Sequence, residues 1–187
     1  MPEPIRNLQP LSLDEIAALA GAEKRPPLDK WNPPLSGHSR ILIARDGSWF
    51  HDGTLITREN LVRLFANILR REPDGSFVLV TPVERQTVDV EDAPFVAVEV
   101  KTEGMGEQRA LALRTSIGDM VVVGPDHPLS FEAKDGQPAP RVLVRAGLEA
   151  SISRAVFYEL VELAIHEAGE PLGLWSGGTF FSMAALA

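Results

Sequence analysis

The chain of 187 residues contains no cysteine. That excludes disulfides, thiolate nucleophiles, and zinc or iron–sulfur centres held by cysteine. Long apolar runs are missing as well. Nothing approaches the ~18 residues of a membrane span, and "MPEPIRNLQPLSLDE" lacks the apolar core of a secretory leader. The expected location is therefore cytoplasmic, with no membrane partner. Basic residues are outnumbered, 18 Lys and Arg against 26 Asp and Glu, for a formal charge of −8. A nucleic-acid binder usually carries a basic footprint, so a nucleic-acid polymer is not the expected partner.

Motifs for catalysis and metal binding are absent too. The histidines, His38, His51, His127 and His166, show neither H-x-H nor H-x-x-x-H spacing, so no metal ligands are assigned. "GLWSGGTFF" fails as a nucleophile elbow, because Gly177 follows Ser176 directly where G-x-S-x-G needs an intervening residue. "GMG", Gly104 to Gly106, lacks the strand–turn–helix context of a dinucleotide fingerprint, and no cofactor is expected. No catalytic residue is assigned. The acid–base option that remains is His127 beside Asp126, between the prolines of "GPDHPL", with Glu84 or Asp92 as a further carboxylate.

What is present is a globular composition, 44% hydrophobic and 24% charged. Residues 1–36 read as an arm: "SLDEIAALAG" is a short capped helix, and "AEKRPPLDKWNPPLSG" is proline-rich extended chain in which Trp31 docks the arm. Short β-branched or alternating segments follow, among them "ILIA", "FVLVT", "FVAVEV" and "MVVVG". Asp46-Gly47, Asp52-Gly53, Asp74-Gly75 and Asp135-Gly136 mark turns, because glycine takes positive φ without steric cost.

Two segments have helical periodicity. Ile56 to Leu69 carries Leu61, Leu64, Phe65 and Ile68 on one stripe, and Ile152 to Ile165 carries Phe157, Leu160, Val161 and Ala164. A shift of 96 positions superposes them, matching Ile56 with Ile152, Arg58 with Arg154 and Leu64 with Leu160. The expected caps, Thr57 and Ser153, also coincide. Flanking strands and glycine turns extend the match. The expected fold is α+β, an internal duplication of two similar β-β-α-β-containing subdomains, with mostly antiparallel sheets each packed with one main helix. Subdomain boundaries are placed at 37–92 and 93–187.

The segments "WNPPLSG", "GTLITRENLVRLFANILRRE", "TPVE", "VEDAPFVAVEV", "GPDHPL", "GLEASISRAVFYELVEL" and "GLWSGGTFF" together resemble a bacterial domain-of-unknown-function family of small cytosolic proteins. The resemblance runs from about Trp31 to Phe181. It implies a duplicated α+β core whose C-terminal part is superficially like a pleckstrin-homology fold. It further implies a signalling role and a nucleotide-like ligand bound where the subdomains meet, with no established activity or catalytic residues.

The residue reading adds a candidate ligand set. Arg58 and Arg154, each at a helix start where free N–H groups gather, would engage an anionic group. Trp31 or Trp175 would stack on a ring, and Asn32 and Ser176 would fix its edge. The expected protein is thus a non-enzymatic binding or signalling module for a small anionic, nucleotide-like ligand, with other signalling proteins as further partners. An enzyme of unfamiliar type using His127, and an interaction scaffold without a small-molecule site, are the rival readings. Oligomeric state is left open.

Overall fold

Aspartate–glycine pairs cut the chain into short strands, and most of these strands join two six-stranded sheets. The computed structural model describes residues 7–22, 24–167, 169 and 171–186. It divides into two compact units. The N-terminal unit is Glu23–Pro94 with Ala146–Leu148; the C-terminal unit takes Met1–Ala22, Phe95–Arg145 and Glu149–Ala187. No helix among the described residues is long and apolar enough to cross a membrane.

In the N-terminal unit the elements run β1 (Leu35–Ile43), β2 (Trp49–His51), β3 (Thr54–Leu55), α2 (Glu59–Asn67), β4 (Leu69–Arg71), β5 (Phe77–Val80) and β6 (Arg85–Val90). The sheet order is β3-β2-β1-β6-β5-β4, antiparallel except for the central β1–β6 pair. Gly47, Gly53 and Gly75 turn the chain at φ of 87°, 75° and 86°. Ile41, Ile43, Trp49, Leu69, Val78 and Val80 supply the buried side chains.

The C-terminal unit is built from β7 (Phe95–Glu103), β8 (Ala110–Thr115), β9 (Met120–Val122), β10 (Leu129–Ser130), β13 (Arg141–Arg145) and β14 (Leu148–Ile152). Their order is β10-β13-β14-β7-β8-β9, with β14 parallel to β7. Helix α3 (Arg154–Glu167) packs on β7 through Val156, Leu160 and Ala164. Two hairpins stand apart, β11 (Ala133–Lys134) with β12 (Gln137–Pro138), and β15 (Gly173–Ser176) with β16 (Thr179–Ser182).

The fold is α+β with the β-β-α-β motif present twice, as β2-β3-α2-β4 and β13-β14-α3-β15. Beyond the helices the copies part. Strand β4 rejoins its main sheet at the edge, whereas β15 pairs, among the described residues, only with β16.

The helices also start differently. Ser153 caps α3 as expected: its Oγ accepts from the Val156 N–H at 3.4 Å. Thr57 does not cap α2. The Ile56 N–H donates to the Trp49 carbonyl at 2.8 Å, and this bond keeps the chain extended one residue too far for Thr57 to serve. Arg58 becomes the cap residue, with φ −83°, ψ 100° and no side-chain cap bond. Arg58 and Arg154 are therefore not equivalent; the first caps its helix, and the second begins one. Leu64, assigned to the apolar stripe, is 57% exposed, while Ala66 is buried.

Helix α1 (Leu13–Ala22) begins in a reciprocal cap: the Glu15 N–H donates to Ser12 Oγ, and the Ser12 N–H donates to Glu15 Oε2 at 2.7 Å. It packs on β8 and β9, where Leu8, Leu13 and Ile16 bury against Ala112. The proline-rich chain that follows is pinned to the N-terminal unit by Arg70, whose Nη1 donates to the carbonyls of Leu28 and Trp31, both at 2.7 Å. Trp31 itself is half-buried.

Candidate functional site

Cross-strand pairing gathers a cleft at the start of α2. Ile41 of β1 lies opposite His51 of β2, and Leu79 of β5 lies opposite Gln86 of β6. Side chains of directly opposed residues share a sheet face, so these four stand on one surface. Leu61 and Phe65 of α2 come over that surface. The cleft so enclosed holds about 470 Å³, lined further by Ser39, the Thr54–Thr57 segment and Arg58. That volume falls among ordinary small-molecule sites.

The electrostatics of the lining are one-sided. In a chain of formal charge −8, the described lining includes one arginine, one histidine and no carboxylate. Arg58 is exposed at the mouth; its carbonyl accepts from the Leu61 and Val62 N–H groups, but its guanidinium makes no hydrogen bond or ion pair among the described residues. The Glu59 and Asn60 N–H groups, freed by the missing side-chain cap, donate to nothing among the described residues either. Gln86 likewise uses no side-chain donor or acceptor there. His51 Nε2 stands 3.7 Å from Asp52 Oδ2, an exposed contact worth little energetically.

A second cleft of about 450 Å³ lies in the C-terminal unit, with Arg109, His166, Glu167, Trp175 and Phe180 in its lining. Its charges are already matched. Arg109, 5% exposed, donates through Nη2 and Nε to Glu167 Oε1 at 2.6 and 3.2 Å and through Nη1 to Thr102 Oγ1 at 3.0 Å. The Gly106 N–H donates to the same carboxylate oxygen at 2.7 Å. Burial pushes the Glu167 carboxyl up, but the Gly106 and Arg109 donors outweigh it and hold it below its ordinary value.

The residues singled out in the sequence are scattered. Arg58 lines the first cleft and Trp175 the second, where its ring leans on Phe180 with centroids 5.4 Å apart. Arg154 is occupied locally: its Nε donates to Tyr158 Oη at 3.1 Å, and its guanidinium lies over that ring. Trp31 and Asn32 line neither cleft. Ser176, assigned to fix a ligand's edge, is fully buried at the end of β15; the turn that follows is Gly177-Gly178, with both φ positive. Its Oγ accepts from the Leu111 N–H at 2.9 Å and donates to the Val123 carbonyl at 2.7 Å, leaving little capacity for a ligand.

His127, Asp126, Glu84 and Asp92 line neither cleft. His127 Nδ1 lies 3.1 Å from the Leu143 carbonyl of β13. His51, Gln86 and Ser39 are lining residues that motif reading missed. The sheet register brings His51 and Gln86 to the cleft, whereas β1 is irregular between His38 and Leu42, with Arg40 at φ 59°, so alternation does not assign the face of Ser39.

Two family models match the chain, "Domain of unknown function (DUF1285), N-terminal domain" over residues 26–93 and "Protein of unknown function (DUF1285), C-terminal domain" over residues 94–183. A solved DUF1285 family protein from Silicibacter pomeroyi DSS-3 is 46% identical, with 91% of this chain and 95% of that one covered at a TM-score of 0.77. The chain belongs to the DUF1285 family. A second solved DUF1285 family protein, from Shewanella baltica OS155, is 29% identical, with 66% of this chain and 91% of that one covered at a TM-score of 0.52. No curated protein matches the chain. The DUF1285 models divide the chain between residues 93 and 94, and the division into compact units falls beside them, after Pro94.

Proposed function

We propose that this DUF1285 protein is a binding module for a small anionic ligand, held in the α2 cleft of the N-terminal unit. One observation carries the reading: the Arg58 guanidinium, with no partner among the described residues, stands at the mouth of a cleft whose described lining has no carboxylate. An unpaired guanidinium supplies planar, forked donors to an incoming anion, and the free Glu59 and Asn60 amides beside it add to the attraction. Signal transduction would follow from ligand occupancy.

Catalysis receives less support, because the histidine and carboxylates of the enzymatic reading line neither cleft. The test is a thermal-shift screen with acetate, octanoate, inorganic phosphate, AMP and dicarboxylates. A ligand at ~100 times its Kd stabilises the native state by about 2.7 kcal/mol, a readily measured shift. Arg58→Gln should abolish the shift and Arg154→Gln should leave it intact. A shift that survives Arg58→Gln unchanged rejects this site.

A further inference from the structure

We infer that the ligand of the α2 cleft is an unbranched aliphatic carboxylate, its head on Arg58 and its tail on the apolar wall. This deepens the anion-binding reading and rests on it. Half of the described lining is apolar: Ile41, Leu55, Ile56, Leu61, Phe65 and Leu79. Ile41 and Leu79 are rooted in the sheet, 3% and 8% exposed, so that wall is preformed. A small polar anion would leave this surface wet and gain nothing from it, whereas each methylene laid on it leaves water.

The head-group follows from the charge count. The described lining has a single guanidinium, and no lysine or glycine stands with it. Phosphate sites usually gather a glycine-rich loop of backbone N–H groups, or more than one cation, around the dianion, whereas here the Glu59 and Asn60 amides stand with one guanidinium. A carboxylate carries one charge and fits the fork of one guanidinium bidentately. The tail follows from the shape of the wall. Phe65 is the one large ring in the described lining, and the other apolar lining residues are aliphatic, so a nucleobase would lack the paired stacking faces it favours.

The experiment is calorimetric titration of the full chain with straight-chain carboxylates from acetate to decanoate below their micellar concentrations. Octanol, inorganic phosphate and AMP serve as comparisons. Affinity should rise about fourfold per methylene until the wall is covered, then level off. Arg58→Gln should weaken octanoate at least about tenfold while melting like the parent, and octanol should bind no better to the parent than to Arg58→Gln. If anions bind through Arg58 but affinity ignores chain length, or AMP binds and octanoate does not, the aliphatic inference falls and the anion site stands. If chain length matters but Arg58→Gln and octanol behave like the parent with octanoate, the anion-binding reading itself falls. No binding by any probe overturns both.

Discussion

Ser176 Oγ donates to the Val123 carbonyl at 2.7 Å with no exposed surface, joining β15 to the chain just after β9. The same oxygen accepts from the Leu111 N–H, so one hydroxyl satisfies two buried backbone groups 65 and 53 positions away. Ser176→Ala would strand both. Leaving buried donors and acceptors unsatisfied costs about 1–3 kcal/mol, and urea denaturation should show a loss of that size. Binding at the α2 cleft should not change, since Ser176 belongs to the other unit.

Arg70 supplies the second prediction. Its guanidinium is 15% exposed and holds two backbone carbonyls of the proline-rich stretch while pairing with Glu72 at 2.7 Å. Arg70→Met should cost about 1.5–3 kcal/mol, the range for hydrogen bonds to a charged group. Release of the stretch should increase quencher access to Trp31 fluorescence. Arg70→Lys should recover only part of the loss, because an ammonium lacks the fork that spans Leu28, Trp31 and Glu72 together.

Glu167 gives a pH dependence with a defined sign. Its carboxyl is held below the ordinary value of 4.5, burial opposing and the Gly106 and Arg109 donors prevailing. A group whose folded pKa is depressed contributes stability above its unfolded pKa and loses it as pH falls through the folded one. The parent should therefore be more stable than Glu167→Gln at pH 7. The gap should narrow as pH drops below about 4.5, in paired denaturation curves at pH 7 and pH 3. A gap that widens on acidification would contradict the assignment.

Local features of the fold were legible in the sequence, and long-range ones were not. Asp-Gly turns and both main helices are set by φ preferences and periodicity within a few residues, so they read directly. The start of α2 did not, because one hydrogen bond from Ile56 to Trp49 moves the cap from Thr57 to Arg58. Nor did the docking of α1. Its partners on β8 and β9, Ala112 among them, lie about a hundred positions downstream. The burial of Ser176 was not legible either, because its donor and acceptor, the Leu111 N–H and the Val123 carbonyl, come from distant segments. For the site, Arg58 was legible as an arginine at a helix start. Its lack of a partner and its neighbours His51 and Gln86 required the sheet register.

An anion held by Arg58 in the α2 cleft should be visible in ¹⁵N–¹H correlation spectra during titration with sodium octanoate. Saturable shifts are expected in the Arg58 Nε–H, the Glu59 and Asn60 amides and the Gln86 side chain, all lost in Arg58→Gln. Shifts centred on Arg109 and Trp175, or unchanged spectra at millimolar octanoate, would contradict it.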